Sequence, residues 1–252
     1  MTTLIHQTNP VGFFSSFNTV VGALSYLKKN QISNFYVLWT NGLYQQSDYN
    51  LFDTFFYKQT ALDHSSIDIA YDAIQIGNVY EAILRRELFL DLHEVLRHYN
   101  YFDNPVYKTC LESCAKRPNS IGVHVRRTDH VQHSELLDLN DYFLIVDRKI
   151  AESNYDNVYL TTDDVQITTL FKERYGSMLF ENENITRSNN GTAIHFNGYS
   201  NKEKLALDVM SDALSLSSCD EIVITSSNIA GYALMVNPNI KYEQIDTHKN
   251  HY

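Results

Sequence analysis

Between residues 121 and 236 the chain repeats one pattern: a short apolar run, a polar cluster, then a helix-length amphipathic segment. Strands are expected at 121–125, 157–161, 177–180 and 221–224. Helices are expected at 140–152, after 164, at 204–217 and at 228–236, with a polar loop over 183–200. Each such unit can bury its apolar runs only in a largely parallel sheet covered by helices, which is an α/β architecture. In open sheets of this kind, ligands bind outside the carboxyl ends of the strands. Three polar clusters fall there: residues 126–129, 161–164 and 225–228. They come from separate stretches of chain and are expected to converge.

The first half is less regular. Val20, Ala23, Leu24 and Leu27 recur at helical spacing, with Ser15 or Ser16 expected as the N-cap. Residues 35–39 read as a strand, which Asn41-Gly42 breaks, and helices are expected at 79–99 and 105–115. The polar, Pro-containing stretch 116–120 is the expected boundary between a domain of residues 1–117 and a domain of 118–252.

Thirty acidic against twenty basic residues leave a formal charge of -10, a field that repels a phosphodiester backbone. Nucleic acid is therefore not an expected partner, and an anionic small ligand would need a local cluster of arginines. Cys110, Cys114 and Cys219 are too few for a disulfide framework or a four-cysteine zinc site. They are expected as buried structural thiols in a reducing compartment. No signal peptide or membrane span is expected from the sequence, and cytoplasmic localisation follows, bacterial or, if viral, in the host. Asn184 and Asn190 head glycosylation-like tripeptides, for which chance is the expected explanation in an Asn-rich chain.

Arg126 and Arg127 follow a strand directly. A guanidinium offers a planar fork of donors that fits phosphate oxygens. Neighbours at a strand end face opposite ways, so Arg126 is assigned to a ligand phosphate and Arg127 to structure, paired with Asp129. A surface ion-pair cluster is an equal reading of the spacing. Thr225, Ser226, Ser227 and Asn228 precede a helix, where hydroxyls and free N–H groups suit an anion, although simple capping needs only one of them. For Asp163 and Asp164, capping and loop ordering are expected rather than a metal site. His124 shares a strand face with Arg126 and is either a core histidine or a ligand contact. His93 and His98 are expected at the surface. No Gly-rich phosphate loop, nucleophile elbow or Cys/His nucleophile pair is present.

Ile121-Gly-Val-His-Val-Arg-Arg-Thr-Asp129 closely resembles the first signature of the inverting α-1,6-fucosyltransferases and nodulation fucosyltransferases. Their superfamily includes the α-1,2- and protein O-fucosyltransferases. Val158-Tyr-Leu-Thr-Thr-Asp-Asp164 is similar to the second signature. Ser211-Asp-Ala-Leu-Ser-Leu-Ser-Ser-Cys-Asp220, followed by Thr225-Ser-Ser-Asn228, is similar to the third. All three occur in the family's order, and the resemblance covers about residues 118–236.

The resemblance implies a compact GT-B fold of two Rossmann-like domains, the second holding a GDP-sugar donor without a metal or other cofactor. It implies His124 and Asp212, rather than Asp208 one turn earlier, as readers of guanine. Arg126 would hold the diphosphate, and Ser226 and Ser227 would sit at its phosphate end. Tyr142, Asp163 and Asp164 would line or order the site. The implied base is Glu135, which aligns only with a one-residue offset, and His130 stands where the α-1,6 enzymes have Lys. The activity implied is inverting transfer of L-fucose from GDP-β-L-fucose to a hydroxyl of a glycan acceptor. Another nucleotide sugar as donor, or a non-catalytic nucleotide- or glycan-binding module, are the alternatives. Acceptor, linkage and oligomeric state are left open.

Overall fold

The computed structural model describes residues 4–8, 12–39, 44, 50–59, 86–127, 138–194 and 201–245. The expected helix over residues 79–85, the Asn41-Gly42 break, Thr128, Asp129, His130 and Glu135 lie outside the described residues.

In the first half, β1 (Leu4–Gln7) and β2 (Phe35–Leu38) pair in parallel, joined by α1 (Phe13–Lys29). The expected cap of α1 is corrected. The helix begins two residues before Ser15, with Gly12 at the cap and no side-chain cap bond. Phe13, Phe17, Val20, Val21, Leu24 and Leu27 form its buried stripe. Beyond it come α2 (Leu51–Phe55), α3 (Arg86–His98) and α4 (Pro105–Glu112). Pro105 stands at the first helical position, where its missing N–H costs nothing. Asn104 caps α4 by accepting from the N–H of Val106, and its amide donates to the carbonyls of Thr54 and Phe56. One buried side chain thus ties α2 to α4.

The second half holds five parallel strands: β3 (Ser120–Val125), β4 (Asn157–Thr162), β5 (Leu179–Phe180), β6 (Glu221–Ile224) and β7 (Lys241–Gln244). Their order is β5-β4-β3-β6-β7. The helices between them are α5 (Leu139–Ser153), α6 (Val165–Tyr175), α7 (Lys202–Ser217) and α8 (Asn228–Val236). Strand order reverses between β3 and β6, which is the switch point where a doubly wound sheet opens a crevice. Alternate residues of β3 serve opposite faces. Ile121, Val123 and Val125 pack with Tyr142 and Val146 of α5 and with Ile167 and Phe171 of α6. Gly122 and His124 point the other way, toward α7 and α8.

Gly122 is required by close approach. A Cβ there would lie 2.8 Å from Leu216 Cδ1 and 3.0 Å from Cys219 Sγ. Gly122→Ala is expected to destabilise the chain by about 1–3 kcal/mol through overpacking, read as a lowered melting temperature. An unchanged melting temperature would show that α7 does not need this contact with β3.

A single hydrophobic cluster runs from α1 and the aromatic segments of the first half into α7 and α8. Tyr232 of α8 sits 4.4 Å from Phe14, ring centre to ring centre, and its hydroxyl is 2.7 Å from that of Tyr101. His93, expected at the surface, is half-buried, with Nδ1 2.8 Å from the carbonyl oxygen of Met235. A carbonyl in the last turn of α8, free of an intrahelical partner, draws it in. His98 is exposed as expected. Cys110 and Cys219 are buried, Cys114 is half-buried, and all three are free. Burial pushes the Cys219 thiol up to about 12 and the Cys114 thiol up to about 11. Neither is a ready nucleophile.

Candidate functional site

A cleft opens at the switch point. His124 and Arg126 reach it from β3 and the turn after it, and Thr161, Thr162 and Asp163 from β4. Asp208 and Asp212 reach it from α7, and Ile229 from the start of α8. Tyr44 contributes from the first half of the chain. Two of the three expected clusters meet here, through Arg126 and through Thr161, Thr162 and Asp163, while of the third segment only the adjoining Ile229 lines the cleft.

Local folding explains each position. β3 and β4 run in register from Ser120 opposite Asn157 to Val125 opposite Thr162, so both polar clusters emerge side by side. Arg126 Nε lies 4.0 Å from Asp163 Oδ2, with side chains 26% and 18% exposed. The other Asp163 oxygen accepts the backbone N–H of Arg127 at 3.2 Å. Asp163 thus holds the turn that carries both arginines. Asp164 is the N-cap of α6, accepting from Gln166 N at 2.7 Å. Capping and loop ordering account for this acidic pair, and no group of three or more potential metal ligands occurs among the described residues.

The cluster before α8 divides its roles. Ser227 caps the helix, its hydroxyl accepting from Ala230 N at 3.1 Å and lying 3.4 Å from His124 Nδ1. The hydroxyl of Ser226 accepts from Gln244 of β7 at 2.9 Å. The first N–H groups of α8 have no acceptor within the helix, so its start carries partial positive charge. Thr225 turns to α5, where its hydroxyl partners Tyr142. Burial pushes that phenol up to about 12, so Tyr142 stays a neutral group. The side chain of Asn228 accepts from the amide of Asn18 at 2.9 Å, joining α8 to α1. Thr225, Tyr142 and Asn228 support the site rather than line it.

Asp212 is the most unusual group here. It is 5% exposed, and the hydroxyls of Tyr159 and Thr161 donate to its two carboxylate oxygens. Burial pushes its carboxyl up to about 6, opposed by the positive charge of Arg187 and by the two hydroxyls. A buried acid with a raised carboxyl in a cleft marks Asp212 as a candidate functional group. Asp208, one turn away, is committed elsewhere: it accepts from Thr186 and from Lys204. Tyr44, Ile185 and Thr186 escape sequence reasoning, because a distant segment and the loop after β5 bring them to the cleft.

No protein-family model matches the chain, and no curated protein matches it. Solved structures do. NodZ alpha-1,6-fucosyltransferase soaked with GDP-fucose shares 15% identity over 93% of this chain and 92% of that chain, with a TM-score of 0.56. Fucosyltransferase NodZ from Bradyrhizobium shares 16% over 92% of each chain, with a TM-score of 0.55. POFUT1 in complex with GDP shares 8% over 98% of each chain, with a TM-score of 0.50. Over more than nine-tenths of its length, the chain has the fold of these GT-B fucosyltransferases.

Proposed function

We propose that this chain is an inverting glycosyltransferase that moves L-fucose from GDP-β-L-fucose to a hydroxyl of a glycan acceptor, without a metal ion. The observation that carries the reading is the meeting of Arg126, the α8 start and buried Asp212 in one cleft at the switch point. The Arg126 guanidinium and the partial positive charge of the helix start suit a diphosphate, and the carboxylate suits the donor edge of guanine. The fold supports the same reading, since neighbours of that fold are fucosyltransferases soaked with GDP-fucose or bound to GDP.

In this mechanism the acceptor oxygen attacks the anomeric carbon from the face opposite the diphosphate. Negative charge grows on the leaving phosphate, where Arg126 and the first turn of α8 offset it in place of a metal. Glu135, or a carboxylate from the first half, takes the acceptor proton. Residues 1–117 form the acceptor side and 118–252 hold the nucleotide. Enclosure between them excludes water and limits donor hydrolysis. Three free thiols fit a reducing cytoplasm, and no helix among the described residues is long and apolar enough to cross a membrane.

The test is transfer from a donor panel of GDP-fucose, GDP-mannose and UDP-sugars to an array of oligosaccharides. GDP-fucose is expected to give a product of inverted anomeric configuration in the presence of a chelator. A product formed only from another donor would replace the proposed donor. Neither transfer nor hydrolysis of any donor would favour a binding module.

A further inference from the structure

A second concavity lies beside the cleft, and the transfer chemistry above leaves it unused. It is a groove of about 420 Å³, in the size range of small-molecule sites. One wall is α2 and α4, through Phe55, Val106 and Thr109, and the other is α7, through Leu207. The stretch after β5 joins them through Ile185. Ile185 and Asp208 line the groove and the cleft alike, so the two share a boundary. Around α7 the faces divide: Leu205 and Asp212 turn to the cleft, Leu207 and Ser211 to the groove, and Asp208 stands between.

The walls are anchored. The Asn182 carbonyl accepts from Arg187 Nη1 at 3.3 Å, and the Asn184 carbonyl accepts from Lys204 at 3.1 Å. Across the groove, Asn104 ties α4 to α2. The polar groups of the lining are already engaged. The Ser113 hydroxyl donates to the Cys110 carbonyl and lies 3.2 Å from that of Ser211. Asp208 accepts from Thr186 and Lys204. Phe55, the one aromatic residue among the described lining, is 2% exposed, its ring packed on Phe13 and Trp39. A sugar ring here would lose hydration and find few free partners and no stacking face. Val106, Ile185 and Leu207 are half-buried and offer aliphatic surface that a hydrocarbon would cover. Glu203 and Asp208 against Lys204 leave the lining net negative, which disfavours a carboxylate or phosphate head.

We propose that this groove binds a neutral aliphatic chain carried by the acceptor, an alkyl aglycone extending from the glycan that receives the transferred sugar. This inference rests on the transferase reading of the neighbouring cleft. The boundary at Ile185 and Asp208 lets one acceptor lay its chain in the groove while its glycan faces the cleft. The chain's contacts are remote from the reacting bond and equal before and during transfer, so they act on acceptor KM rather than on kcat.

The test offers the full chain each oligosaccharide of the array twice, free and as its octyl glycoside below the micelle-forming concentration, with GDP-fucose as donor. The octyl form should lower the acceptor KM by about tenfold or more, the effect of burying two or more methylenes, with kcat little changed. Thr109→Trp, at an exposed position of α4, should fill the groove and bring the two KM values together. Leu207→Glu should do the same by placing a charge on the aliphatic wall. Equal KM values in the parent, or an octyl advantage that survives in either folded variant, overturns the proposal. If no acceptor is fucosylated, calorimetry with octyl β-glucoside and with octanoate decides. Octyl glucoside binding that Thr109→Trp abolishes keeps the groove while the transfer reading fails, and no binding overturns the groove as well. Octanoate binding as tightly as octyl glucoside would contradict the neutral ligand.

Discussion

Replacing Arg126 by alanine is expected to lower fucosyl transfer by about 10²–10³-fold, to the background of an ordinary assay. The guanidinium sits at the rim of the cleft, and the leaving diphosphate gains charge as the glycosidic bond breaks. An interaction that strengthens along that path acts on kcat more than on KM. Stability should barely change, because the Arg126–Asp163 contact is a 4.0 Å pair between partly exposed groups. Such pairs contribute about 0–1 kcal/mol. Arg126→Lys keeps the charge but loses the planar fork, so it should recover only part of the rate. Near-normal transfer by a folded Arg126→Ala chain would remove Arg126 from the donor site.

Replacing Asp212 by asparagine should separate binding from stability, with opposite signs. The carboxyl is pushed up to about 6 by burial, above the unfolded range near 3.9. The fold therefore favours the protonated acid. The advantage of that form is fully present at low pH and is lost as pH rises from about 4 through 6. At pH 7 the parent carries the cost of a buried carboxylate, so Asp212→Asn should be the more stable chain by about 1–3 kcal/mol, with the gap closing toward pH 4. GDP affinity should move the other way. Losing a charged acceptor to guanine weakens binding by about 1.5–3 kcal/mol, roughly 10- to 100-fold. In the parent, GDP affinity should decline as pH falls below about 6, when Asp212 takes up a proton. An Asp212→Asn chain that binds GDP like the parent would leave this costly carboxylate with no ligand role.

Much of this arrangement was legible because it follows from periodicity and strand ends. β6 and α8 lie at the expected residues, and His124, Arg126, Asp163 and Asp212 meet in one cleft. What escaped has physical reasons. β7 reads Lys-Tyr-Glu-Gln, an edge strand half-exposed along its length, so it carries no apolar run. The start of α1 was misplaced because Ser15 and Ser16 are good capping residues on propensity, yet packing of Phe13 and Phe14 carries the helix past them. The 225–228 cluster read as an anion site or as simple helix capping, and Ser227 does cap α8. Thr225 and Asn228 are instead committed to Tyr142 and Asn18, partners from elements remote in sequence. Arg187 lay in a stretch read as polar loop, and only the fold shows that its side chain is withdrawn from water beside Glu181.

The fold also gives the first half a role in the site. α1 reaches the α8 start through Asn18, and Tyr44 lines the cleft. The two halves of the chain therefore share one packed core through Phe14, Tyr101 and Tyr232. Substitutions of Phe14, Tyr101 or Tyr232 should be felt at the cleft even though none of the three lines it.

The central claim is that the cleft between β3, β4 and α7 is a guanine nucleotide site. Calorimetric titration of the unmodified chain with GDP and with UDP tests it most directly. GDP should bind at least about tenfold more tightly than UDP, a difference of about 1.4 kcal/mol, and the preference should shrink in Asp212→Asn. UDP binding as tight as GDP, or a GDP preference untouched by Asp212→Asn, would contradict the account.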